Sequence, residues 1–168
     1  NDVHEDSAGD LIIGSLSIST STFDGLIDDV RVYNYSMSSS TINNLYKSGF
    51  AKFNVPSTKS LTSGLVGYWT MDGKDVNWAT GAVTDRSGRG NTGTIVNMAT
   101  TSAQAIGKIG QALNFDGVSS AINIGNTISG IQTVGFWIKI ATSSQKIIDL
   151  NGTASIEAIS GTITANNF

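Results

Sequence analysis

The 168-residue chain predicts an all-β fold: an antiparallel two-sheet sandwich carrying one short helix. Three observations carry this expectation. Charged residues make up 14% of the chain and hydrophobic residues 39%, so Ser, Thr, Asn and Gly must cover most of the surface. Such a composition suits short strands and many turns better than charged amphipathic helices. Glu, a strong helix former, occurs only as Glu5 and Glu157. Finally, β-branched and aromatic runs are punctuated by Asp24-Gly25, Asp72-Gly73, Asp116-Gly117 and Asn151-Gly152. Asp-Gly and Asn-Gly are turn chemistry because Gly reaches φ > 0 without a Cβ penalty.

Taken in order, residues 1–9 are polar and acidic and read as a loop. His4 lies there beside Glu5 and Asp6, a setting that suits a solvated side chain better than a metal ligand. Asp10 to Leu16 reads as a strand and Ser17 to Thr22 as a polar turn. Asp24-Gly25 then turns the chain into one long strand, Leu26 to Asn34, whose Ile27, Val30, Val32 and Tyr33 suit a half-buried pleated surface. Beyond it the period changes. Ile42, Leu45 and Tyr46 fall at i, i+3 and i+4, one face of a short helix with Ser38 as N-cap and Lys47 in its last turn. This helix is expected to pack on the sandwich. Residues 50–63, with the sole proline Pro56, read as a linker that Phe50 and Phe53 can anchor.

Past the linker, Gly64 to Asp72 is a strand, and Thr84 to Thr94 is a Gly- and Asn-punctuated structured loop. Strands follow at Gly107 to Asp116 and at Ala121 to Gly125. The longest is Gln132 to Ile140, with Val134, Phe136, Ile138 and Ile140 alternating onto one face. A hairpin around Asn151-Gly152 and a last edge-type strand near Gly161 to Ala165 complete the pattern.

Composition also excludes function classes. The net charge is −3 and no Lys/Arg cluster occurs, so nucleic acid is not an expected partner. With no Cys, disulfides, thiol catalysis and zinc-thiolate sites are ruled out. No apolar run approaches the roughly 18 residues of a membrane span, so no membrane insertion is expected. Asn1 reads as an internal position of a longer chain.

The stretch Phe23 to Asn34 resembles the closing strand of laminin-G-like, concanavalin-A-like jelly rolls, where Phe-x-Gly-x-Ile-Asp-Asp-Val-Arg-Ile-Tyr-Asn precedes a short helix. Gly64 to Gly117 is similar to the opening of the same family: Gly-Leu-Val-Gly-Tyr-Trp, then Asp85-x-Ser-Gly-x-Gly-Asn-x-Gly93, then Gly107-Lys-x-Gly-x-Ala-Leu-x-Phe-Asp-Gly117. Met71 stands where the family carries an aromatic. The resemblance implies a jelly roll, with residues 1–49 as a closing segment, 50–63 as a linker and 64–168 as an opening segment. In that order the middle strands of a family member are missing. A window cut from a tandem array, a circular permutation and completion of each half by another chain are the competing explanations. Open half-sandwiches aggregate, so some completion within or between chains is expected.

Candidate sites follow from both lines. The resemblance implies a structural Ca²⁺ held by Asp28 and Asp29 of the closing strand and by the Asp116-Gly117 turn. Ca²⁺ accepts mixed carboxylate and carbonyl oxygens. The alternative is that Asp28 accepts backbone N–H bonds while Asp29 is solvated or pairs with Arg31. Asp72, Asp75, Asp85 and Asn91 suit turn capping better than a second ion. Trp78, in a polar loop, is the candidate sugar-stacking platform, with Tyr35 as a second ligand-binding aromatic; the competing role for Trp78 is a loop anchor. Trp69 and Trp137 lie inside strands, where packing is the default. Catalysis is not expected, because Asp28 and Asp29 as strand neighbours point to opposite faces and the two Glu stand isolated. Two functions remain: a non-catalytic glycan-binding or adhesion module of an exported bacterial surface protein, at the cell surface or outside it, and a structural repeat or homopolymer built by strand complementation.

Overall fold

The computed structural model describes residues 9–17, 20–48, 62–125, 128–141, 144–150, 152 and 154–167. His4, Phe50, Phe53 and Pro56 lie outside the described residues. The first segment contributes β1 (Leu11–Ile13), β2 (Ser15–Ser17), β3 (Thr20–Thr22), β4 (Asp24–Tyr33) and the helix α1 (Ser39–Ser48). Next come β5 (Leu65–Trp69), a 3-10 turn at Gly73–Asp75, β6 (Val76–Asn77), β7 (Ala82–Val83), β8 (Gly93–Val96) and β9 (Gln104–Ile106). The chain continues through β10 (Gln111–Asp116), β11 (Ala121–Asn123), β12 (Thr133–Ile140), β13 (Ser144–Leu150), β14 (Ala154–Ile159) and β15 (Thr162–Asn166).

Two antiparallel sheets form the sandwich. The larger has eight strands in the order β15-β14-β13-β1-β11-β8-β7-β6. The smaller has five: β12-β4-β10-β9, with β5 also paired to β4. Each of these sheets holds one strand from residues 10–49 set among strands from residues 64–168. β1 lies between β13 and β11, and β4 is flanked by β12 on one side and by β10 and β5 on the other. Each segment therefore supplies neighbours for the other within one chain.

The core is apolar and shared by the two sheets. Leu11, Ile13, Ile122, Ile148 and Leu150 face Phe23, Ile27, Val30, Val32, Trp69, Leu113 and Phe115. Val134, Phe136, Ile138 and Ile140 of β12 border this core, as their alternation predicts. Trp69 is fully buried and its indole N–H donates to the Asn91 carbonyl at 2.8 Å, so the Gly-rich loop is tied to the core strand beneath it.

Two expectations need correction here. Ser15 to Thr22 is not a strand end plus a turn but a hairpin, β2 paired with β3 at Ser15↔Thr22 and Ser17↔Thr20. Its hinge is Gly14, at φ +87°, where an added Cβ would fall 2.1 Å from the Phe115 ring. Asp24-Gly25 likewise lies inside β4 and not in a turn. Asp24 pairs with Asp116 and Gly25 with Ile140, so ladder bonds on both sides override the local turn preference. The helix forms as expected: the Ser38 hydroxyl accepts the Thr41 N–H at 3.3 Å as its N-cap.

Candidate functional site

β4 changes partners half-way along. Asp24–Ile27 pair with β10, whereas Val30–Tyr33 pair with β5. At the seam between these partners sit Asp28 and Asp29. On the opposite edge the register to β12 slips, Arg31 facing Gly135 and Asp28 facing Trp137, so β4 carries one extra residue. Asp29 absorbs it at φ +57°, in the left-handed region. Ile27 and Val30 both point into the core, and the two residues between them both leave it on the outer face. Strict alternation had placed Asp28 and Asp29 on opposite faces. The bulge puts them side by side.

Each carboxylate is buried and each finds a different solution. Asp29 pairs with Arg31, two residues along the same face, at 2.9 Å. The Arg31 guanidinium also donates to the Tyr68 hydroxyl at 3.1 Å and lies 4.5 Å from the centroid of its ring. Burial pushes the Tyr68 phenol up to about 12. Asp28, 2% exposed, accepts the Ile109 N–H on Oδ2 at 2.8 Å, while its Oδ1 is enclosed without a hydrogen-bond partner. Burial pushes its pKa up to about 6, against the Ile109 N–H and with a further push from the Asp29 charge. Gly107 makes the close approach of the β9–β10 turn possible, since a Cβ there would meet Asp28 Oδ2 at 2.6 Å. Asp28 thus stitches the seam where β10 begins and β5 ends.

Two cavities open on this outer face, and Trp137 lines both. One, of about 170 Å³, lies under α1 and is lined by Asp29, Arg31, Ile42, Leu45, Tyr46 and Phe136 among others. The second, of about 310 Å³, is bounded by Leu26, Asp28, Ile106, Lys108 and Lys139. The Tyr46 ring leans on Trp137 with centroids 5.3 Å apart, and Lys108 Nζ stands 5.5 Å from the Trp137 centroid. The Arg31 Nε is enclosed without a hydrogen-bond partner, as is Asp28 Oδ1. The result is an aromatic wall with an ionic group on either side.

The residues expected from the sequence are dispersed. Asp116 pairs in register with Asp24, about 13 Å along β4 from Asp28 at the usual strand rise. Its Oδ1 accepts the N–H groups of Val118, Ser119 and Ser120, each at 2.9 Å. Although burial acts the other way, these bonds from Ser119, Val118 and Ser120 hold its carboxyl well below the usual range. Gly117, at φ +70°, closes that turn. The strand register thus sets Asp116 and Gly117 apart from Asp28 and Asp29 along β4. The carboxylates are engaged by backbone N–H groups or by Arg31, and no group of three or more His, Asp or Glu among the described residues is placed to hold a metal. The alternative expectation for Asp28 and Asp29, backbone N–H and Arg31, describes the geometry.

Trp78 is half-buried and packed against the core, its indole N–H enclosed, which is the arrangement of a loop anchor. Tyr35 is half-buried with its ring edge-on to Tyr33 at 5.8 Å, away from both cavities. Asp85 and Asp75 tie their loops to neighbouring segments: Asp85 accepts the N–H groups of Tyr68, Ser87 and Asn91, and Asp75 pairs with Arg86 and Thr70. Trp137 is the aromatic that sequence reasoning passed over. Its signal was present, because a residue between Phe136 and Ile138 must face away from the core they border. Lys108 and Lys139 gave no such signal.

No family model matches this chain, and neither the curated proteins nor the solved structures contain a match to it.

Proposed function

We propose that the protein is a non-catalytic carbohydrate-binding module that takes a sugar on the outer face of its five-stranded sheet, with Trp137 as the platform. The observation that carries this is Trp137 itself, an indole on the outer face that lines both cavities, with Arg31 beside one and Asp28 beside the other. A sugar ring combines an apolar C–H face with hydroxyls that both donate and accept. Its C–H face suits the Trp137 ring, and its hydroxyls suit the polar side chains that border the two cavities.

A hydrolytic role fits less well. Asp28 and Asp29 are consecutive on one strand, one held by the Ile109 N–H and the other by Arg31, and they do not face each other across a cleft. The jelly-roll resemblance of Phe23–Asn34 and Gly64–Gly117 supports a place on an exported bacterial surface protein, where glycan recognition serves adhesion. Trp137→Ala is expected to abolish retention on polysaccharide in affinity electrophoresis, whereas Trp78→Ala leaves retention intact and lowers the melting temperature. Unchanged retention by Trp137→Ala on a polymer the wild type binds would rule the platform out.

One observation favours a second function, a self-assembling structural repeat. β15 ends the eight-stranded sheet and carries Ile163, opposite Ala158, at 47% exposure, so an apolar side chain stands on an open edge of the kind that recruits another strand. Concentration-dependent linear polymers in sedimentation and electron microscopy, lost in Ile163→Lys, are the expected sign of that role.

A further inference from the structure

Charge around the groove runs against charge over the molecule. The chain carries a net charge of −3, yet the larger cavity is lined by Lys108 and Lys139 and by a single carboxylate, Asp28. That carboxylate is turned into the seam, where one of its oxygens accepts the Ile109 N–H. Across Trp137, the charge of Asp29 is matched by Arg31 at 2.9 Å. Lys108 Nζ stands over the Trp137 ring, 5.5 Å from its centroid, so one ammonium lies at the indole face, where the acidic group of a stacked ring would meet it. The lining of this cavity therefore carries one positive charge in excess, in a chain whose net charge is negative.

We infer that the ligand of this groove is an acidic sugar of the uronic-acid class, its ring on Trp137 and its carboxylate received by Lys108 and Lys139. The inference rests on the carbohydrate-binding function proposed above and narrows it to one chemical class. Charge count favours a single negative charge per sugar over a phosphate dianion. Two lysines minus one carboxylate leave one net positive charge on the cavity, which a carboxylate neutralises and a dianion exceeds. Lysine suits this role because its ammonium is a mobile point charge that follows a carboxylate along a polymer, without the fixed fork of arginine. Surface attraction of this kind is screened by salt, so affinity should fall as ionic strength rises.

The test uses polygalacturonate, alginate and hyaluronan, each beside its carboxyl-reduced neutral form, with binding to the full chain followed by titration calorimetry at low and high salt. The expected result is that at least one acidic polymer binds about tenfold more tightly than its reduced form, the weight of one charge-assisted hydrogen bond. Lys108→Gln/Lys139→Gln should lose that preference, Lys108→Arg/Lys139→Arg should keep it, and Trp137→Ala should lose binding of every polymer. Equal binding of acidic and reduced polymers, with Trp137→Ala still inactive, would overturn the acidic-sugar class and leave carbohydrate binding standing. Retention of the acidic preference in the double Gln variant would also overturn it. Absence of binding to all six polymers would count against both.

Discussion

Asp28 is the residue on which the chemistry of this face turns. It is a buried carboxylate with one oxygen bonded and one not. Its folded pKa of about 6 stands above the unfolded value of 3.8, so the native state holds a proton that the unfolded chain releases. The resulting stability is fully present below about pH 4 and is lost as pH rises through about 6, a swing on the order of 3 kcal/mol. Asp28→Asn, which stays neutral, is expected to remove that slope and to raise the melting temperature by a few degrees near about pH 7.5. Thermal melts of both proteins across this window check it; parallel curves would show that Asp28 ionises without cost. The neighbouring pair was easier to foresee, since Asp29 and Arg31 stand two apart on a strand and share a face. That Asp28 joins them there was hidden, because it depends on one residue adopting φ +57°.

At the scale of elements, β4 is organised by its neighbours more than by its own residues. Its run of Ile27, Val30 and Val32 reads as a strand, and the uneven interval between Ile27 and Val30 is the trace of the bulge. The change of partner from β10 to β5 explains why the bulge falls there: two short strands cannot continue one ladder without an interruption. The β2–β3 hairpin was missed for the opposite reason. Its Ser- and Thr-rich sequence carries turn chemistry, and only Gly14 and the pairing of Ser15 with Thr22 make it a ladder. Gly14→Ala should destabilise the protein by about 2–4 kcal/mol, from the left-handed backbone and the clash with Phe115 together. Denaturant melts measure this, and a loss under about 0.5 kcal/mol, the range of ordinary surface changes, would mean the hairpin moves freely off Phe115.

At the scale of the whole molecule, the polar composition, the scarcity of Glu and the repeated Asx-Gly turns determined an all-β antiparallel sandwich with a single helix, because strand alternation and turn chemistry are local and survive without partners. The same alternation assigned Val134, Phe136, Ile138 and Ile140 to the core side and Trp137 to the other. Only the tertiary structure decided which side chains share a cavity. Residues 24–33 find their neighbours near residues 65–69, 111–116 and 133–140, and Asp28 meets Ile109 across more than eighty positions of chain. Such proximities arise from strand order and register, which depend on long-range pairing energies that no short window of residues contains. The groove of Trp137, Asp28, Lys108 and Lys139 is a product of that pairing, and so is the separation of Asp116 from the acidic pair with which its sequence had grouped it.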